Sequence, residues 1–203
     1  MDKDQQLKKI KDEVVNCQKC SLSKTRKLPV IGEGDHDADI IFTGEAPGSK
    51  EDETGRPFVG RAGQILDELL EKNGFQRSEI YINNVLKCRP PDNRDPRTEE
   101  IEACTPYLDR QIKIINPHII CPLGNFATRY LLKRYQLEDV LKDDQGKQKG
   151  ISKLHGQVFS VNQLDYKFKI MPFYHPAATT YNPNLKETLA EDFRKLRRLK
   201  DSW

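Results

Sequence analysis

The feature that most constrains this chain is an alternation: short apolar runs of strand length take turns with longer stretches whose apolar residues recur at helical spacing. Asp39-Ile-Ile-Phe-Thr-Gly44 is an apolar run stopped by glycine, which predicts a buried strand feeding a loop. Ala62 to Lys72 carries Ile65, Leu66, Leu69 and Leu70 on one side and stops at Asn73-Gly74, the pattern of an amphipathic helix. Ile80 to Val85 predicts a second strand. Thr98-Glu99-Glu100 opens a helix whose acids suit the positive end of the helix dipole. Ile101, Cys104, Leu108, Ile112 and Ile115 form its stripe, with Cys104 pointing inward, and Pro106 predicts a kink or restart. A strand over His118 to Leu123, a helix over Asn125 to Lys133 and a strand over Phe168 to Tyr174 follow. The last helix begins near Asn182-Pro183 and buries Leu185, Leu189, Phe193 and Leu196. Leu141 to Lys153 is polar and aperiodic and reads as a surface loop.

This order implies a three-layer α/β/α fold around a central, mainly parallel four-stranded sheet, with ligands bound at the loops leaving the strand ends. At 203 residues the chain most simply forms one domain, residues 1–203. An apolar fraction of 36% with 32% charged residues fits a soluble globular protein. Met1 to Glu13 alternates charge and amide, which is no secretory leader, and no run reaches membrane length, so a cytoplasmic, cell-interior location is expected. The net charge of +3 neither requires nor excludes a nucleic-acid partner. Part of the basic excess forms a ridge on the last helix, Arg194, Lys195, Arg197, Arg198 and Lys200, expected to face water.

Cys17-Gln-Lys-Cys20 is a chelating pair, since a two-residue spacer lets both sulfurs meet one metal centre. Cys88 and Cys104 are spaced for neither a zinc knuckle nor a disulfide framework. A pair plus two distant cysteines suits a four-thiolate iron-sulfur centre; a zinc site, or a redox pair beside two buried structural thiols, stands as the alternative. Cys121, inside Ile119-Ile-Cys-Pro122, reads as a small core residue and not as a ligand.

Gly44-Glu-Ala-Pro-Gly48, Glu51-Asp52 and Gly55-Arg-Pro-Phe-Val-Gly60 resemble the first signature of the family 4 uracil-DNA glycosylases. Asn83-Asn-Val-Leu-Lys-Cys-Arg-Pro-Pro-Asp-Asn-Arg94 is similar to that family's second block, and His175-Pro-Ala-Ala178 to its third. The resemblance spans nearly the whole chain. It implies removal of uracil from single- or double-stranded DNA by a monomer, leaving an abasic site for base excision repair, after the nucleotide is flipped into a pocket. It also implies a 4Fe-4S cluster on Cys17, Cys20, Cys88 and Cys104, with the N-terminal segment as part of its cradle.

The site residues follow from the same resemblance. Phe58 stacks on the flipped base, a contact of roughly 1 to 3 kcal/mol in comparable systems. Asn84 donates to uracil O4 and accepts from N3–H, a pattern that cytosine reverses; Asn83 is the competing residue. His175 hydrogen-bonds O2, where charge grows as the base leaves, and one such preorganised donor supplies roughly 3 to 4 kcal/mol. Glu51 crowds the C5 face and excludes thymine. The position where family 1 enzymes carry a water-orienting aspartate is Ala46, which leaves Glu45, then Asn93, to position the water. Where relatives wedge bulky apolar residues into DNA this chain has Ala178-Thr-Thr-Tyr181, so Tyr181 with Thr180 takes that place. Arg89 and Lys186 are phosphate contacts. Two other readings compete. A covalent uracil-binding relative would need a histidine in a basic inserted loop, and residues 89–97 contain none. A noncatalytic cluster-bearing DNA module would not require both Asn84 and His175.

Overall fold

A computed structural model describes residues 1–164 and 166–203. Its helices are α1 (Lys3–Val15), α2 (Ser49–Thr54), α3 (Arg61–Lys72), α4 (Thr98–Ile115), α5 (Gly124–Arg134), α6 (Ile151–Leu154), α7 (Ala178–Tyr181) and α8 (Leu185–Lys200). The strands are β1 (Glu33–Gly34), β2 (Ile40–Gly44), β3 (Tyr81–Asn84), β4 (Ile119–Pro122), β5 (Phe159–Gln163) and β6 (Tyr166–Ile170), in the sheet order β1-β3-β2-β4-β6-β5.

The four expected strands are the parallel centre of that sheet, β3-β2-β4-β6, but the last runs over Tyr166–Ile170 and not Phe168 to Tyr174, with Phe173 beyond it only bridging to Leu123. Four is nevertheless too few: β1 and β5 add an antiparallel edge on each side and make six. Strand side chains alternate between faces, and the core divides accordingly. Ile41, Tyr81 and Ile120 pack with α1, α4 and α5, whereas Ile40, Phe42, Ile80, Ile82, Ile119 and Cys121 pack with α3 and α8. Phe42 stacks on Phe193 of α8 with ring centroids 5.6 Å apart, which fixes that helix to the second face. The result is three layers, helices on both sides of one sheet. Cys121 is fully buried among them, as a core residue.

Two expectations are corrected, and the N-terminus adds a helix. The charged N-terminus forms α1, because Leu7, Ile10 and Val14 recur at helical spacing and bury against α4. Helix α4 runs without restart from Thr98 to Ile115 despite Pro106, since Cys104, Tyr107 and Leu108 on either side of the proline are buried and hold the lost turn in place. The expected loop from Leu141 to Lys153 contains a bridge between Lys142 and Gln148 and the single turn of α6, with Ile151 and Leu154 buried. On α8 the inward face is Leu189, Phe193 and Leu196, joined by a buried Asp192, while Leu185 is half-buried. The basic ridge is largely ion-paired along its own helix: Arg194 with Glu187 and Glu191, Arg198 with Glu191 and Arg197 with Asp201. Among the described residues no helix is long and apolar enough to cross a membrane.

Candidate active site

Parallel strands deliver their C-terminal ends to one edge of the sheet, and the three sequence blocks meet there. Register pairs Gly44 with Asn84 and Thr43 with Asn83. Beyond the strands the pairing continues in the loops, where Val85 N donates to the Gly44 carbonyl and Leu86 N to that of Glu45, both at 2.9 Å. Adjacent strand residues point to opposite faces, so the two asparagines part company. Asn83 accepts the Thr43 hydroxyl at 2.9 Å. Asn84 turns the other way, toward Phe58: a side chain at Gly44 would come within 2.3 Å of Asn84 Oδ1 and 2.7 Å of Phe58 Cζ. Only glycine leaves that space open. Asn84 is 2% exposed, and among the described residues its Oδ1 has no hydrogen-bond partner. A buried acceptor left without a donor costs about 1 to 3 kcal/mol, and such atoms mark places where a ligand completes the bonding.

Phe58 is held in an unusual backbone conformation, φ +50°. Two contacts hold it there. Glu51, on α2, accepts the backbone N–H of Val59 at 2.9 Å and of Gly60 at 2.8 Å. Gly63, in the first turn of α3, lets that helix approach so closely that a Cβ there would sit 1.8 Å from the Phe58 carbonyl oxygen. The structure therefore occupies the Glu51 carboxylate with the Phe58 loop.

His175 completes the group. It follows Phe173, which bridges in parallel to Leu123, and its ring centroid lies 6.0 Å from that of Phe58. Gly124 passes beneath it with a positive φ of 89°, and a Cβ there would lie 3.2 Å from His175 Cβ. His175 Nδ1 accepts the Ala177 N–H at 3.3 Å, which assigns the ring proton to Nε2. Burial lowers the His175 pKa, with the Glu51 charge opposing, so the ring is a neutral Nε2–H donor at neutral pH.

Glu45 and His175 share a cavity of about 550 Å³ with Asp95, Phe126, Arg129 and Tyr130. Burial raises the Glu45 pKa and the nearby Asp95 charge adds to the rise, the setting of a carboxylate able to take a proton. Ala46 beside it is half-buried against the core. Asn93 does not join them: it is exposed at φ +52°, and its Oδ1 accepts Arg89 Nε at 2.8 Å. On the other flank Thr180 and Lys186 line a second cavity of about 540 Å³ with Arg61, Gln64 and Pro183. Tyr181 projects from α7 at 89% exposure, whereas Thr179 is buried and donates its hydroxyl to the Pro176 carbonyl.

The four cysteines converge on one region. Cys88 and Cys104 are buried, Cys17 and Cys20 half-buried, and all belong to the same apolar cluster. Cys88 lies within electrostatic reach of Cys17 and Cys20, and Cys104 of Cys88 and Cys20. Arg26 donates to Cys88 Sγ at 3.1 Å and to the carbonyls of Val14, Val15 and Cys17, and the Lys87 N–H donates to Cys104 Sγ at 3.1 Å. Among the described residues no three His, Cys, Asp or Glu side chains gather tightly enough to hold a single metal ion.

The motifs gave no site role to Gly63, Asp95 or Arg61, and gave Gly44 only that of a strand stop. The glycines carry no chemistry of their own and act by leaving room; Asp95 and Arg61 are ordinary charges in loop and helix-start positions until the fold brings them to the site.

Fold and site together define a class, and the model of the Uracil DNA glycosylase superfamily matches residues 31–197. Among curated proteins, a type-4 uracil-DNA glycosylase of Saccharolobus solfataricus is 49% identical over 93% of this chain and 83% of its own length. Those of Sulfurisphaera tokodaii, at 46% over 95% and 84%, and Archaeoglobus fulgidus, at 45% over 91% and 88%, are similar. The chain belongs to the type-4 family of that superfamily.

Proposed function

We propose that this chain is a uracil-DNA glycosylase that flips uracil out of DNA and hydrolyses its N-glycosidic bond, leaving an abasic site in base excision repair. The observation that carries the reading is the unpartnered, buried Oδ1 of Asn84 facing Phe58 across Gly44. An acceptor with no internal donor suits the N3–H of uracil and rejects cytosine, whose N3 is itself an acceptor. Phe58 stacks on the base. His175 offers its Nε2–H to O2 as negative charge develops there, a preorganised donor that needs no proton transfer. Glu45 orients water toward the sugar carbon, and because the transition state resembles an oxocarbenium ion, orientation and charge matter more than a strong base. Glu51 acts on the base indirectly, through the Phe58 loop that it holds, in addition to the C5-face role implied by resemblance. Tyr181, with Thr180 beside it, fills the gap left by the flipped nucleotide, and Lys186 and Arg89 contact phosphates.

Cys17, Cys20, Cys88 and Cys104 fit a 4Fe-4S cluster. The donor set is sulfur only, and two N–H groups already point at sulfurs. A cluster is several atoms across, so its thiolates stand further apart than the ligands of one ion. When bound it supplies a covalent tie between the N-terminal segment, the loop after β3 and α4. The protein works as a monomer and a single domain in the cytoplasm, with DNA as its partner.

Incubating the purified protein with a uracil-containing oligonucleotide and cleaving abasic sites with alkali tests the reading. Cleavage at uracil is expected; none above a thymine-containing control overturns it.

A further inference from the structure

Lys87 lies between the second sequence block's asparagine and its cysteine, and its side chain is fully buried, at 0% exposure. Nζ donates to the Asn84 backbone carbonyl at 2.8 Å and to Gln111 Oε1 at 2.7 Å. Gln111 is fixed in turn, donating to the Ile31 carbonyl at 2.9 Å and the Tyr81 hydroxyl at 3.1 Å. The Lys87 main chain is equally engaged: its N–H reaches Cys104 Sγ at 3.1 Å and its carbonyl accepts Val30 N at 2.7 Å.

Among the described residues no carboxylate pairs with this ammonium. The buried acids are occupied elsewhere: Asp52 by the Lys27 N–H, Glu100 by Arg94 and Asp192 by His155. A buried charge without a partner of opposite sign is costly, and a nearby anion offsets that cost. The groups near Lys87 that can carry negative charge are the sulfurs of Cys104 and Cys88. Two neutral thiols do not answer a cation; a thiolate-held cluster carrying net negative charge does.

We propose that Lys87 is a positioning residue that joins the cluster to the uracil pocket: its ammonium offsets the charge of the thiolate-held cluster while it clamps the carbonyl of Asn84. The clamp sets the end of β3, and with it the direction of the Asn84 side chain. The inference rests on the glycosylase and cluster readings above.

The test uses the full-length, iron-loaded protein and K87M, which keeps the length and apolar stem and removes the charge. Inhibition by free uracil reads the pocket, affinity for abasic-site duplex reads the rest of the DNA surface, and the cluster's reduction potential reads the lost charge. K87M is expected to weaken uracil inhibition by about tenfold, the size of one charge-assisted hydrogen bond. Its abasic-duplex affinity stays at the wild-type level, and its cluster potential falls, because removing a nearby cation disfavours the added electron. Wild-type uracil inhibition or an unchanged potential in K87M overturns the proposal. If K87M does not fold, Q111L, which removes the ammonium's other acceptor without changing charge, takes its place: weaker uracil inhibition supports the clamp and unchanged inhibition overturns it. Wild-type protein that releases no uracil, or holds zinc in place of iron, overturns the underlying readings before any variant is compared.

Discussion

Asn84 ends a strand with its amide oxygen unbonded and nearly sealed from solvent. Asn83 finds a donor for its Oδ1 in Thr43 although its Nδ2 is unpaired among the described residues; what sets Asn84 apart is that its free oxygen faces Phe58 across Gly44. Replacing Asn84 by alanine therefore removes an unsatisfied atom, and N84A is expected to lose uracil excision by about a hundredfold or more while its Tm changes by only a few degrees. Loss of activity together with cooperative unfolding would instead assign Asn84 to the scaffold. The site's acids and bases also fix a pH profile. In its proposed role Glu45 works as a carboxylate, and its pKa is raised, by burial first and Asp95 second, so excision is expected to fall as pH drops through that raised value. His175 in its proposed role works as the neutral ring, and its pKa is lowered by burial, so it too is expected to be competent from neutral pH upward and lost only in acid. D95N removes one of the two causes acting on Glu45. The acid limb of kcat against pH should move to lower pH in that variant; an unmoved limb would show that Glu45 is not the group titrating.

At the scale of elements, the pocket depends on close approaches that side chains would forbid. G44A puts a methyl group against Asn84 Oδ1 and Phe58 Cζ. Its expected cost in stability is about 1 to 3 kcal/mol, with a larger loss of uracil binding than of abasic-duplex binding. Equal losses of both would place the defect in the fold at large. These approaches explain what could be read from the chain and what could not. β2 and β4 were legible because burial on both faces demands continuous apolar runs such as Ile40-Ile-Phe42, whereas β6 alternates exposed or half-buried lysines with buried Phe168 and Ile170. β1 was not, being two residues with a glycine at its end that fits under the Ile80 carbonyl. Helix α1 was hidden because its three buried residues are spread among charges. Asn84 and His175 were legible by their blocks, whereas the inverted φ of Phe58, the bonds Glu51 makes to its loop and the exposed setting of Asn93 depend on how distant segments meet.

For the molecule as a whole, the cysteine region joins α1, the loop after β3 and α4, and Asn84 with the proposed uracil pocket lies at the other end of that same loop. Arg26, bonded to Cys88 and to carbonyls at the end of α1, belongs to this junction. Removing iron from the native protein by oxidation and chelation is expected to lower Tm and to free the N-terminal segment for proteolysis before the sheet unfolds, because metal binding and folding share one free energy. An apoprotein with native Tm and an intact N-terminus would show that the cysteines are only packing residues. The central claim is that this pocket reads uracil through Asn84. Single-turnover release from oligonucleotides carrying uracil or cytosine at one position, by wild type and N84A, tests it most directly. Wild type is expected to release uracil and leave cytosine intact, and N84A to lose the uracil rate; equal rates for the two proteins on uracil would show that Asn84 does not read the base.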